Sequence, residues 1–400
     1  MTKLRLPVVL LASSLHGRGV EELFAPVIAG FRARAGVELE PVRPEEVGDF
    51  PVQAALLLTG GTEGRLVELF QGTAAPVLVL THGAQNSLAA GLEGVARLRT
   101  DGRRAWLVHL GDEAAGRELP ALAQAAELAR FLQGKRIGLI GGPSPWLVAS
   151  SPDPSLFREK LGIEVLQLGL DEVLRHLPRE APPAEGEAEG VGEEELVMGG
   201  RVKAALEAVV REHRLDALSI ACFGLLSHGL TACWALSRLS DRGLPAGCEG
   251  DLPGLLALMI AQGLTGGPGF LANPAEVDAK NGRLFLAHCT VPLSLVEVYR
   301  LRTHFESGLG LAVEGALRPG PYTLVRFGGR ALEQAFIVEG NVLPECPGRE
   351  ELCRTQVVFK APKGALRKLL DEPLGNHHVL IPGHHRQTLS TFHNLFLAPF

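Results

Sequence analysis

A repeated alternation organises the chain: a short apolar run, then a stretch with helical period. LPVVLLASS leads into VEELFAPVIAGFRARAG, AALLLTGGTEG into GRLVELFQG, and APVLVLTHG into NSLAAGLEGVARLRTDG, with AWLVHLG closing the series. A strand that is apolar on both faces must be covered on both, and a helix after each strand supplies that cover. The pattern therefore calls for parallel strands with crossover helices. A second unit of this kind opens at KRIGLIGGPSPW and continues through LGIEVLQLGLDEV, VKAALEAVVREH and LDALSIACFG. From about Asn273 the texture changes: GRLFLAHCTV, AVEGAL, YTLVRFGGRALEQAFIVEGNVL and TQVVFK alternate apolar and polar residues around glycine turns, as antiparallel strands do.

The expected fold class is α/β, with two wound parallel-sheet (Rossmann-like) domains followed by a mostly antiparallel β C-terminal domain. The boundaries fall at 1–134, 135–272 and 273–400, and a length of 400 residues suits three domains of ~100–200 residues or fewer. Residues 178–195, PREAPPAEGEAEGVGEEE, carry no apolar period and read as a solvated acidic loop. No window approaches the ~20 apolar residues of a membrane span. The first residues, MTKLRLPVVLLASSLHG, lack the cleavage site of an export signal and read as a first buried strand, so a cytoplasmic protein is expected.

A net charge of -6 without a basic stripe argues against nucleic acid and favours a small ligand. The six cysteines, Cys222, Cys233, Cys248, Cys289, Cys346 and Cys353, form no CxxC pair and read as buried free thiols. The glycine turns LTGGTEG and LIGGPSPW match neither GxGxxG nor GxxxxGK[ST], and tight turns of a wound sheet account for them. In NSLAAGLE, Asn86 and Ser87 are expected to cap the helix that follows.

Residues with metal-ligand chemistry concentrate in the last 150 positions: Glu249, Asp251, His288, His304, His377, His378, His384 and His385. Glu249 follows a short strand, LPAGC, and so lies at the carboxyl edge of a sheet, where open α/β folds bind ligands. Asp251 reads as the acid that favours the N-terminus of the apolar helix LPGLLALMIAQG. The adjacent His377 and His378 point to opposite faces of a strand, so at most one faces a shared site. A carboxylate and imidazoles around an open position suit Mn²⁺ or another divalent cation. The histidine spacing matches no HExxH motif, which weakens a metallohydrolase reading.

Taken in order, CEGD, LTG, F-L-A-x-P, LAHCT, THFESGLG, CRTQ and GNHHVLIPG, with GGTEG, NSLAAGLE and GGPSPW before them, resemble the L-fucose isomerase and L-arabinose isomerase family over almost the whole chain. The resemblance implies aldose–ketose isomerisation with a bound divalent metal, usually manganese, in a homo-oligomer with shared active sites. It implies Glu249 as a metal ligand and acid/base, and His288 and His377 as further ligands. Asn86, Ser87, Trp146, His304 and Ser307 become candidate sugar contacts. The family's second carboxylate lies 24 residues beyond the first, and in this chain that position is Asn273. An amide offers a carbonyl oxygen to a metal or a sugar hydroxyl, but it has no charge and no useful pKa. Asp251, Glu276 and Asp278 are the nearby acids that could stand in for it, and His384 is a second departure from the family pattern. Two readings follow: a metal-dependent isomerase working through an ene-diol, with Glu249 and Asn273 at its centre, or a non-catalytic sugar-binding or regulatory protein on the same fold.

Overall fold

The computed structural model describes residues 4–16, 20–345 and 348–399. They fall into two compact units, one drawn from Met1–Arg130 and Gln387–Phe400, the other from Phe131–Arg386. Among the described residues no helix is long and apolar enough to cross a membrane.

In the first unit, β1 (Leu4–Leu11), β2 (Val37–Pro41), β3 (Gln53–Leu57), β4 (Val77–Thr81) and β5 (Ala105–His109) form one parallel sheet in the order β2-β1-β3-β4-β5. β3 and β4 are buried along their whole length, which is why they read as unbroken apolar runs. The end of the chain belongs to this unit: Arg104 donates to the carbonyls of Leu395 and Ala398, both at 2.9 Å.

The second unit begins with another parallel sheet. Its strands β6 (Arg136–Ile140), β7 (Glu164–Leu168), β8 (Ala217–Ile220) and β9 (Ala246–Cys248) take the order β7-β6-β8-β9. The order reverses at β6, so a crevice is expected where the carboxyl ends of β6 and β8 diverge. The C-terminal strands are antiparallel, as the alternating pattern predicts. β10 (Phe270–Asp278), β11 (Arg283–His288), β14 (Gly320–Gly328), β15 (Gln334–Val342), β16 (Thr355–Lys360) and β17 (His378–Pro382) close a barrel in the order β10-β11-β16-β15-β14-β17. β12 (Val296–Arg302) and β13 (Ala312–Leu317) form a separate antiparallel pair. Phe270, Leu286, Leu324, Phe336 and Phe359 belong to a single buried apolar cluster.

The helix Leu252–Thr265 joins the two halves of this unit. Every residue from Leu252 to Ala261 is buried, because the helix packs against β8 and β9 as well as β10, β14 and β17. A helix covered all round needs no polar face. Its entry is tight: Glu249 and Gly250 both have left-handed backbones, φ 63° and 72°.

The acidic segment 178–195 is more ordered than its composition suggests. Ala188 bridges to Leu301, Glu189 N donates to the Leu301 carbonyl at 2.9 Å, and Leu301 N donates to the Glu187 carbonyl at 2.7 Å. The long helix Glu193–His213 already starts inside it, with Glu195 accepting from Gly192 N at 3.0 Å. Backbone pairing with β12 holds the segment, and composition carries no record of such a partner. Of the cysteines, Cys222, Cys233, Cys248 and Cys289 are buried free thiols and Cys353 is half-buried, while Cys346 lies outside the described residues.

A side chain at position 250 would have its Cβ 2.1 Å from the Gly142 carbonyl oxygen on top of an unfavourable φ. Gly250→Ala is therefore expected to cost about 2–4 kcal/mol, combining backbone strain with a displaced loop. Urea denaturation of the two proteins checks this.

Candidate functional site

The turn after β9 delivers two carboxylates to different duties. Glu249 is a non-glycine residue in the left-handed region, a conformation that costs of order 1–3 kcal/mol and persists only where its surroundings enforce it. Two contacts do so from the loop after β6: Ser144 N donates to the Glu249 carbonyl at 2.8 Å, and Trp146 Nε1 donates to Glu249 Oε2 at 2.7 Å. The second carboxylate oxygen, Oε1, lies 3.6 Å from His377 Nε2.

Asp251, fully buried, caps the apolar helix as expected, with Oδ1 accepting from Gly254 N at 2.8 Å. Its other oxygen does more than cap. Oδ2 accepts from Arg326 at 2.7 Å and pairs with His377 Nδ1 at 2.9 Å. Arg326, on β14, is only 1% exposed, and its guanidinium also donates to Ser150 Oγ at 2.6 Å. Gly375 makes room for this contact, since a Cβ there would meet Ser150 Oγ at 2.7 Å and the guanidinium at 2.8 Å. With Nδ1 engaged by Asp251, His377 presents Nε2 toward Glu249. That nitrogen is buried and makes no hydrogen bond.

The two neighbouring histidines divide as strand geometry requires. His377 joins the carboxylates, while His378 packs edge-on against Phe336, 5.6 Å between ring centres, and its Nδ1 lies 3.2 Å from the Asn376 carbonyl. His288, at the end of β11, has its ring centre 5.3 Å from that of His377 and its Nδ1 2.8 Å from Thr290 Oγ1. Asn273 follows Ala272, which pairs with His378, so Asn273 and His377 are neighbours at the end of that ladder. Its Oδ1 is buried without a hydrogen-bond partner.

A wall of rings continues from Glu249. Trp146, half exposed, stands edge-on to Phe223 at 4.9 Å, and Phe223 stands edge-on to His304 at 5.6 Å. Phe223 and His304, with Cys222, Leu226 and Thr231, line a small pocket. His304 Nδ1 lies 3.0 Å from Ser307 Oγ.

Burial alone would lower the pKa of His377, but its bond to Asp251 and the nearby carboxylate of Glu249 outweigh that and raise it to about 9. Burial works against ionisation of Asp251 too, and Arg326 together with His377 overcomes it, holding the carboxyl well below its ordinary range. Glu249 is also lowered: burial pushes it up, and His377 and Trp146 more than offset this. His288 goes the other way, to about 3, through burial and the nearby charge of His377. His304 is lowered by burial and by Arg354.

Several expected residues lie elsewhere. Glu276 is exposed and paired with Arg349 at 3.0 Å, and Asp278 binds Asn281 in an exposed turn, so neither acid replaces a carboxylate at position 273. Asp251 is already committed to Arg326 and His377. His384 is exposed, 3.9 Å from Glu339. Asn86 occupies the N-cap position of the helix Ser87–Thr100 but makes no side-chain cap, because its backbone is left-handed rather than extended. Ser87 instead donates to the Leu57 carbonyl and accepts from His82 N at 3.0 Å, tying two strand ends of the first unit. Arg326 and Ser150 were not anticipated. An arginine inside the apolar run YTLVRFG was the available signal, since a strand buried along its length tolerates a cation only beside an anion.

A different group also has the geometry for an ion. Ligand atoms of Glu172, His176 and Glu212 lie within 4.8 Å of one another at a partly exposed position. Arg175 already neutralises it, at 2.5 Å from Glu172 and 2.6 Å from Glu212.

No family model matches the chain. It is similar to the sulfoquinovose isomerase of Alkalicoccus urumqiensis, 24% identical over 310 residues, which cover 72% of this chain and 69% of that one. It is similar to the sulfoquinovose isomerase of Clostridium sp. (strain MSTE9), 28% identical over 182 residues, 42% of this chain and 39% of the relative. The match to the sulfoquinovose isomerase of Priestia megaterium is 24% identical over 214 residues, 49% and 48%. The chain thus spans less than half the length of the latter two.

The buried cluster sets the pH dependence of folding for the metal-free protein. His377, raised from 6.5 to about 9, contributes stability that is complete below pH 6.5 and is lost as pH rises through 9. Asp251, depressed from 3.8, contributes stability present above that pH and lost on acidification below it. Thermal midpoints of the metal-free protein should plateau between these limits and fall on the alkaline side. Asp251→Asn leaves Arg326 buried without its counter-ion and should cost about 3–5 kcal/mol near pH 6, while flattening the alkaline fall.

Proposed function

We propose that this protein is a metal-dependent aldose–ketose isomerase acting on a small sugar through an ene-diol. The observation that carries this reading is the buried, unbonded Nε2 of His377, held in place through Asp251 and facing a carboxylate oxygen of Glu249. A desolvated imidazole nitrogen without a partner costs free energy unless something occupies the space before it. A carboxylate orienting the imidazole from behind is the usual support for a metal-bound histidine. The donor chemistry suits a divalent cation: Glu249 Oε1 lies 3.6 Å from His377 Nε2, with the amide of Asn273 and the ring of His288 next to His377, although these four do not converge as closely as Glu172, His176 and Glu212 do. An oxygen-rich set with imidazole suits Mn²⁺. The partly exposed group at Glu172, His176 and Glu212 is the weaker candidate, because an ion there has to displace Arg175.

When bound, the ion supplies positive charge opposite the oxygen on which negative charge develops. The remaining work falls to the chain's own groups. Glu249, kept ionised and aimed by Trp146, is the base for the proton on the carbon next to the carbonyl. Asp251 and Arg326 fix the orientation of His377 without touching the sugar. The ring wall of Trp146 and Phe223 gives a sugar an apolar face to lie against, with His304 next to Phe223 and Ser307 bonded to it. Asn86 and Ser87 remain proposed sugar contacts from the resemblance alone. The same reading takes the protein as a cytoplasmic homo-oligomer. The names of the curated relatives make sulfoquinovose the first sugar to test.

Asn273 favours a second reading, a sugar-binding protein without turnover, because it leaves the site one carboxylate short of the pair the family uses. Product analysis over a panel of aldoses and ketoses in the presence of Mn²⁺ separates the two: conversion of any sugar supports the isomerase, and sugar binding without conversion supports the rival. In the second case Asn273→Asp is expected to gain activity.

Metal binding has its own signature. His377 has to lose its proton to serve as a ligand, so Mn²⁺ affinity of chelator-stripped protein should rise about tenfold per pH unit below 9. Calorimetry in buffers of different ionisation enthalpy should register one proton released, and His377→Gln should abolish both effects.

A further inference from the structure

Ene-diol isomerisation needs two proton movements, one at carbon and one between the two oxygens. Glu249 serves the first, and the amide of Asn273 cannot serve the second. The histidines of the site are mostly committed. His377 is held by Asp251, His288 by Thr290, and His378 lies against Phe336. His385 Nε2 lies 2.8 Å from the Pro382 carbonyl, and His384 is exposed. His304 is placed differently. Like His288 and His377 it has Nδ1 engaged, here by Ser307, and among the described residues no hydrogen-bond partner at Nε2, but it stands against Phe223 in the ring wall that begins at Glu249 and lines the pocket there.

We propose that His304 carries the proton between the two substrate oxygens, the duty that the amide at position 273 leaves open. The proposal rests on the isomerase reading above. In the aldose-to-ketose direction Glu249 takes the proton from C2, the C2–H pair becomes the C1–C2 double bond, and the carbonyl pair moves onto O1. His304 Nε2 takes the proton of the C2 hydroxyl and delivers it to O1. The O2 pair then forms the new carbonyl, and Glu249 returns its proton to C1. One C–H and one O–H bond break and one of each forms, so no oxidant, reductant or other co-reactant is required. Burial and Arg354 favour the neutral ring, the form that can accept a proton near neutral pH.

The test uses the Mn²⁺-loaded protein, the sugar that the wild type converts best, and two variants, His304→Gln and His304→Asn, each checked by its thermal midpoint. Net conversion and release of a C2-bound deuterium into solvent are followed together. Loss of an oxygen-to-oxygen carrier should lower kcat by about 10²- to 10⁴-fold while sugar affinity by calorimetry changes less than about threefold. Deuterium release by Glu249 should fall much less than conversion. Added imidazole should restore part of the conversion. A folded variant whose kcat stays within about threefold of wild type overturns the proposal and leaves the isomerase reading intact, and so does one that loses only sugar affinity. If the wild type converts no sugar, both fall together.

Discussion

The second unit is arranged around one buried carboxylate. Asp251 closes the N-terminus of the helix Leu252–Thr265 with one oxygen, and with the other it meets Arg326 from the barrel and His377 just before β17. A charge so fully removed from water is tolerable only if both oxygens find partners, and here a backbone amide, a guanidinium and an imidazole supply them. Ser150, from the loop after β6, completes the set through Arg326. Parallel sheet, connecting helix and barrel are thus tied at a single point, and the group so fixed is the histidine that faces Glu249.

This arrangement separates support from the proposed chemistry. Asp251 and Arg326 are buried and hold positions, whereas Glu249, also buried, is reached by the half-exposed Trp146. Glu249 is kept in a costly backbone conformation by the loop after β6, so its carboxylate is aimed by contacts from two sides rather than by its own rotamer preference. The ring wall from Trp146 to His304 extends from that point along the cavity. The elements that build the site come from far apart in the chain, and the apolar helix brings them into register.

Asn273 is the residue on which the two proposed readings turn. Among the described residues its amide oxygen is buried without a hydrogen bond, as is Nε2 of His377, its neighbour at the end of the ladder. Glu276 and Asp278, the acids nearest to it in sequence, point into solvent or surface pairs. Among these acids Glu249 is thus the one beside His377 that Arg326 does not already hold, and His288 and His377 lie close to it.

Much of the architecture was legible in the chain. Apolar runs followed by helical periods require covered parallel strands, and period-two alternation after Asn273 requires antiparallel ones, because side-chain direction follows backbone geometry locally. The left-over polar residues, Glu249, His288 and His377, stood out for the same reason: they interrupt apolar surroundings. Partners were not legible. Arg326 lies 75 positions from Asp251 and Ser150 lies 176 from Arg326, and no local period records such a pairing. The bridge of Ala188 to Leu301 and the return of the chain end to Arg104 are of the same kind. Sequence determined which residues could not sit comfortably in a core, and the tertiary structure decided which of them satisfy one another, because compensation of buried charge depends on distances that only folding sets.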